Sequence, residues 1–254
     1  MGKVVVITGA SSGLGEEFAY QLAEQGASLL LIARRSSKLQ SIAQQIMTKY
    51  AHVKVYVLVL DLSVDDASEH VLNYIETHQL SLQGLINNAG FGARGYFESL
   101  ELTLQQQMLQ VNIHILMSLT HCLIAQLKSQ ENAFIINVAS TAAFQAGPNL
   151  AVYYASKAFV LSFSQALYEE LKGDIKISAL CPGATRTEFA DIAGMSDLLL
   201  FKLRVMKKED VVRYALKYRH KAIVIPGLMN KIGASLAQIL PASWVRKIAF
   251  QIQK

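Results

Sequence analysis

Cysteine is scarce in this chain: Cys122 and Cys181 are the only two among 254 residues. They stand far apart in apolar segments with no CxxC spacing, which argues against a disulfide framework or a cysteine-built metal site and for buried, inert thiols. No metal is expected. Charge is thin too, at 17% of residues against 52% apolar, so the chain can bury a full core and has the composition of neither a disordered nor a collagen-like protein. The opening stretch, MGKVVVITG, lacks the basic start, long apolar centre and small-residue cleavage site of a secretory signal. Val6 stands where a myristoylation motif after Gly2 needs serine or threonine. The expected location is the cytoplasm.

Acidic residues are missing altogether after Asp210. Residues 1–210 hold 16 Lys/Arg against 19 Asp/Glu, net −3, whereas residues 211–254 hold eight Lys/Arg and no acid, net +8. Such a segment is either a solvated face or a surface for an anionic partner, so a weak peripheral membrane contact stays open. Nucleic acid is not expected, because no basic motif interleaved with aromatics accompanies the charge. Pro226 and Pro241 interrupt the apolar C-terminal extension, residues 222–254, and argue against a continuous spanning helix there. Trp244 beside Arg246 and Lys247 suits an interfacial helix, a dimer contact or a cover over the core.

Short β-branched runs alternate with long amphipathic segments along the rest of the chain. That pattern predicts an α/β fold of one doubly wound Rossmann domain over residues 1–254, with a central parallel sheet of about seven strands and helices on both faces. Strands are expected at Val4–Thr8, Ser28–Ala33, Lys54–Val59, Leu85–Asn87, Phe134–Val138, Ile175–Leu180 and Ala222–Ile225. Helices are expected at Gly15–Gln25, Ser37–Tyr50, Asp65–His78, Thr103–Ser129, Val152–Leu171 and Lys208–Tyr218.

Directly after the first strand comes TGASSGLG, followed by an amphipathic helix. A strand, a glycine turn and a helix N-terminus make an anion site, so Gly9, Ser11, Ser12, Gly13, Leu14 and Gly15 are candidates for holding a dinucleotide pyrophosphate. The second strand ends LLLIARR: Ala33 supplies no carboxylate for a ribose, while Arg34 and Arg35 supply two guanidiniums for a 2′-phosphate. NADP(H) is therefore the expected cofactor. Asp61 and Leu62, at the end of the third strand, and Asn87 to Gly90, at the end of the fourth, border the crevice where such folds bind ligands. Asp61 is read toward the adenine and Asn87, Asn88, Ala89 and Gly90 toward the ribose, with an ordinary Asx turn as the alternative for each asparagine or aspartate.

Taken together these residues resemble the short-chain dehydrogenase/reductase family. TGxxxGxG lies at Thr8–Gly15, NNAG at Asn87–Gly90, a lone asparagine in QVNIH at Asn112, a serine in INVAS at Ser140, YxxxK at Tyr153–Lys157 and CPGATRT at Cys181–Thr187. The texture of LIARR, NNAGFG, ASKAFVLSFS and CPGATRTEF is similar to a bacterial branch often labelled DltE-like. The resemblance implies hydride transfer between a nicotinamide and a carbonyl or alcohol carbon, with Tyr153 as acid or base, Lys157 tuning the phenol and holding the ribose, and Asn112 holding a relay water. It also implies that Pro182, Gly183, Thr185 and Thr187 contact the nicotinamide end, and that subunits pair as a homodimer or homotetramer. A reduced ketone leaves an alkoxide that must be protonated, an ammonium lowers a neighbouring phenol's pKa, and Ser140 at a strand end can donate to the same oxygen. Helix spacing alone leaves Tyr153 and Tyr154 both on the face of Lys157, and only the YxxxK pattern and the distance back to Ser140 select Tyr153.

Residues 188–206 read as a mobile lid over an apolar substrate, or as packing, with Phe91, Phe144, Phe189 and Met195 as pocket walls or core. The leading expectation is a reductase of an apolar ketone, aldehyde or 3-oxoacyl group. A non-catalytic dinucleotide-binding regulator and a membrane-associated assembly protein on the same fold are the competing ones.

Overall fold

The structure is a computed structural model and describes residues 3–194 and 205–253. Its strands are β1 (Val4–Thr8), β2 (Ser28–Ala33), β3 (Val55–Val59), β4 (Leu82–Asn87), β5 (Phe134–Val138), β6 (Lys176–Leu180) and β7 (Ile223–Val224). All neighbours pair in parallel, in the order β3-β2-β1-β4-β5-β6-β7. The order reverses direction between β1 and β4, which opens a crevice at the carboxyl ends of these two strands.

Strand periodicity sends alternate residues to opposite layers. Val5, Ile7, Leu29 and Leu31 pack against α1 (Gly13–Glu24), α2 (Ser36–Lys49) and α8 (Lys208–Tyr218) through residues such as Phe18, Ile42 and Val211. Val4, Val6, Leu30 and Ile32 face α3 (Ala67–Thr77), α5 (Ile115–Lys128) and α6 (Ala151–Glu170), meeting Val71, Leu119 and Leu167. With both faces covered, β1 and β2 are buried at every position, whereas the edge strand β3 is only half-buried.

The helix expected over Thr103–Ser129 is not a uniform α-helix. It runs as α4 (Leu102–Leu109), a π-helical stretch over Gln110–His114, and α5. The whole run Leu102–Lys128 is long and apolar enough to cross a membrane by composition, but Ile115, Leu119, Leu123 and Leu127 are buried against the sheet, so it is a layer of the core.

After β7, Gly227 at φ +87° turns the chain into α9 (Leu228–Ile239), and Pro241 breaks it before α10 (Ala242–Ile252). A four-residue α7 (Phe189–Ile192) follows β6. Most of the expected lid, including Met195, lies outside the described residues. Of the two thiols, Cys181 is buried and pushed up to about 12 by that burial, as expected of an inert group, but Cys122 is exposed on α5.

Candidate active site

The crevice is a cleft of about 830 Å³ along the carboxyl edge of the sheet. One end is framed by the loop between β1 and α1, where Gly9 sits at φ +64° and a side chain there would come within 2.9 Å of the Ala89 Cα. Thr8 fastens this loop to the turn after β4: its Oγ1 accepts from the N–H groups of Asn88 and Ala89, both at 3.0 Å. Asn88 Nδ2 donates back to the carbonyls of Thr8 and Gly9, at 2.9 and 3.1 Å. Asn88, Ala89 and Gly90 line the cleft, as do Ser11, Ser12, Gly13 and Leu14.

Gly15 does not. A Cβ on it would run into the Gly9 carbonyl, so it serves the close packing of the loop on α1 rather than touching the cleft. Asn87 also turns away: buried, it donates to Thr120 Oγ1 at 3.0 Å and to Asn137 Oδ1 at 2.8 Å, and Asn137 donates on to Ser164 Oγ at 3.0 Å. This buried polar chain ties β4, β5, α5 and α6 together. Its one signal in the sequence is an asparagine in the middle of an apolar strand, at Asn137.

The two arginines after β2 both line the cleft but are employed differently. Arg35 donates through Nε to Ser11 Oγ at 3.1 Å and through Nη2 to the Ser11 carbonyl at 3.3 Å, while Nη1 pairs with Glu188 at 2.8 Å. Among the described residues Arg34 meets only the Asp61 carboxylate, at 3.7 Å, and its side chain is 75% exposed. Asp61 is itself held in an Asx turn, accepting from the Ser63 N–H and hydroxyl at 3.0 and 2.8 Å. Those bonds and Arg34 hold its carboxyl below the usual range, outweighing the opposing effect of burial. Leu62 is buried in the core and also borders the cleft. The cradle therefore offers backbone amides at a helix start, two guanidiniums and no acceptor aimed at a ribose from the end of β2. That donor set fits a dinucleotide carrying an extra phosphate.

At the other end, Ser140 follows β5. Its Oγ accepts from the Ala142 N–H at 3.1 Å, capping a short 3-10 turn, and hydrogen-bonds the Tyr153 side chain on α6. Ser140 thus caps this turn and lines the cleft at once. Burial raises the Tyr153 phenol well above its ordinary value, the bond to Ser140 pulling the other way. Lys157, one turn on, is 4% exposed, and desolvation lowers it from 10.5 to about 8. Its Nζ donates to the Val138 carbonyl at 2.8 Å and lies 5.9 Å from the Tyr153 ring centre. In this arrangement the strand-end carbonyl holds the lysine, and burial is the leading influence on the phenol.

Asn112 does not line the cleft. It sits 1% exposed behind Gly90, where a Cβ would come within 2.9 Å of its Oδ1 and 3.4 Å of Lys157 Nζ. Its amide clamps Phe91, accepting from the N–H and donating to the carbonyl, each at 3.0 Å, and donates to Ser156 Oγ at 3.0 Å. Asn112 stands in the middle of the π-helical stretch Gln110–His114.

After β6, Pro182, Gly183, Thr185 and Thr187 line the cleft; Thr185 bridges to Met206, and Thr187 stands over Gly13. Phe91, Tyr154, Phe189 and Ile192 form an apolar half of the cleft, while Phe144 packs elsewhere, in the core beside α6.

The wall that sequence reasoning missed comes from the C-terminal extension. Met229, Asn230, Gly233 and Ala234 of α9, with Ala249 and Ile252 of α10 and the Gln253 that follows, close the substrate end. Gln253 Nε2 donates to the Tyr154 hydroxyl, and its carbonyl accepts from Asn149 Nδ2 at 3.3 Å. Tyr154 is thus the anchor of this wall, one position round the helix from Tyr153.

A family model described as short chain dehydrogenase matches residues 3–194. The chain belongs to this family. It is 37% identical over 188 residues to 11-beta-hydroxysteroid dehydrogenase 1A of Arabidopsis thaliana, a match that covers 74% of this chain and 53% of the plant protein. The chain thus spans about half the length of that relative. It is 31% identical to an uncharacterized oxidoreductase of Staphylococcus epidermidis over 84% of this chain and 90% of the relative. Among solved structures, a short-chain dehydrogenase from Sphingobium yanoikuyae in complex with NADPH superposes with a TM-score of 0.81 at 29% identity, covering 94% of this chain and 96% of the other. The family member described here is accordingly built on a seven-stranded Rossmann-like sheet.

Proposed function

We propose that the chain is an NADP(H)-dependent reductase of an apolar carbonyl compound, a ketone, aldehyde or 3-oxoacyl group, with Tyr153 as the proton donor. The observation that carries this reading is the buried Tyr153 phenol, bonded to Ser140 and one turn from the buried Lys157, inside a cleft whose far end carries Arg34 and Arg35. Related structures hold NADPH in some cases and NAD in others, so the choice of cofactor rests on this chain's own arginines.

The nicotinamide, when bound, supplies the hydride. The backbone amides of Ser11 to Leu14 at the start of α1 would hold the pyrophosphate, and Arg34, the less engaged guanidinium, would take the 2′-phosphate. Burial keeps Tyr153 protonated, which is the form a reduction needs: its hydroxyl gives a proton to the alkoxide oxygen as it develops, and Ser140 hydrogen-bonds that same oxygen. Lys157, about 8 and so charged at neutral pH, keeps a positive charge beneath the site and would steady the ribose. Asn112 acts at one remove, by fixing Phe91 and the backbone around Gly90. Phe91, Phe189 and Ile192 exclude water from the reacting carbonyl and favour an apolar substrate. A homodimer or homotetramer in the cytoplasm belongs to the same proposal and is checked by sedimentation velocity.

NADPH oxidation measured against a panel of apolar ketones tests the assignment. Tyr153→Phe is expected to lower kcat by about 100- to 10,000-fold, the usual range for a lost general acid. Tyr154→Phe should instead shift KM. Should Tyr154→Phe abolish turnover while Tyr153→Phe preserves it, the two roles reverse; binding of NADPH with no ketone reduced would favour the regulator.

A further inference from the structure

Helices α9 and α10 leave an apolar face uncovered. Leu228, Ile232 and Leu236 recur at four-residue intervals along α9 and are 72%, 43% and 48% exposed; Trp244, Ile248 and Ile252 do the same along α10, at 62%, 52% and 45%. This stripe pair is far too apolar for an ordinary solvated surface, where large apolar residues occur singly. It also runs into the mouth of the cleft. Ile252 lines the cleft as well as the stripe, and the exposed Met229 and Ile192 line the cleft too.

Charge identifies the occupant. The exposed Lys231 and Lys247 fall beside the stripes on helical spacing, Arg246 is exposed on α10, and no acidic residue follows Asp210. Two copies meeting through this face would bring like charges together with no acid in the segment to offset them, whereas an anionic surface pairs with all three. We propose that α9 and α10 lie flat on an anionic lipid bilayer, their apolar stripes at the acyl boundary and their cations at the headgroups, with the cleft mouth turned toward the lipid. The docking rests on this surface alone; delivery of an apolar substrate from the bilayer into the cleft rests in addition on the reductase reading.

Trp244 is the chain's single tryptophan, so its fluorescence reports this face and nothing else. The full chain, mixed at low salt with vesicles of phosphatidylcholine containing phosphatidylserine, is expected to sediment with them. Its emission should shift to the blue and become resistant to iodide, and the binding should weaken as salt rises. Vesicles of phosphatidylcholine alone should bind far less. Replacing the three cations (Lys231→Gln, Arg246→Gln, Lys247→Gln) removes only exposed groups and should weaken binding to the anionic vesicles about a hundredfold, at roughly a factor of five per charge. Trp244→Glu with Ile248→Glu should abolish it, with NADPH binding as the control for folding. Equal binding to neutral vesicles, no binding to either, or a Trp244 already shielded from iodide without lipid, by a second copy or by the chain itself, would each overturn the proposal. Ketone reduction in free solution is scored separately, so loss of the reductase reading and loss of docking are told apart.

Discussion

Replacing Lys157 by methionine should make the protein more stable while destroying its activity. The ammonium is buried, and desolvation lowers it from 10.5 to about 8. At pH 7 the folded state therefore holds the charge at a cost of about 3 kcal/mol relative to the unfolded chain, which the mutation removes. Against this stands the Val138 carbonyl, which now accepts from Nζ at 2.8 Å and would be left without that donor. An unpaired buried acceptor costs about 1–3 kcal/mol, so the net gain is about 0–2 kcal/mol, or up to roughly 8 °C in Tm for a chain of this size. The sign reverses with pH. Between about 8 and 10.5 the unfolded chain binds more protons at this site than the folded one, so wild-type stability rises with pH through that window and the advantage of Lys157→Met fades there, ending as a loss above it. Thermal melts of both proteins from pH 6 to pH 10.5, alongside turnover of an apolar ketone, measure both halves. A variant that melts below wild type at pH 7, with a gap that does not change with pH, would refute the reasoning.

Two further substitutions separate roles that the cleft alone leaves joined. Asn112→Ala removes the clamp on Phe91 and leaves that residue's N–H and carbonyl unpaired, costing about 2–4 kcal/mol and roughly 5–15 °C in calorimetric Tm. A variant that melts like wild type but turns over no substrate would instead assign Asn112 to a proton relay. Arg34→Ala should raise KM for NADPH by about 10- to 100-fold and leave KM for NADH unchanged, the expected value of one charge-assisted contact to a 2′-phosphate; equal changes for both nucleotides would contradict its role.

The sheet and the cofactor end were legible because their signals are local. Val4–Thr8 and Ser28–Ala33 are continuous apolar runs, and the glycine loop between them falls at the one junction where a backbone must approach a phosphate. The π-helical stretch around Asn112 left no comparable mark, since a single extra residue in a helical turn changes no composition and only the odd asparagine in an apolar helix betrays it. The hold of the Val138 carbonyl on Lys157 depends on where a long side chain comes to rest, which helix spacing does not determine. The substrate wall was hidden for a different reason. Gln253 meets Tyr154 across 99 residues of chain, and α9 and α10 carry apolar residues on their exposed side, where the usual amphipathic rule would put polar ones.

Helices α9 and α10 give the core almost nothing: Ala234 and Ala249 are the buried residues they contribute. Peeling the pair away from the cleft exposes little apolar surface that is not already wet, so its local unfolding costs far less than unfolding the sheet. Amides along both helices should exchange with solvent orders of magnitude faster than those of β1 and β2, and the gate for large apolar molecules can swing while the dinucleotide cradle stays shut. Under the proposed reductase reading, whatever orders these two helices governs how readily the site opens, without touching a residue that takes part in the chemistry.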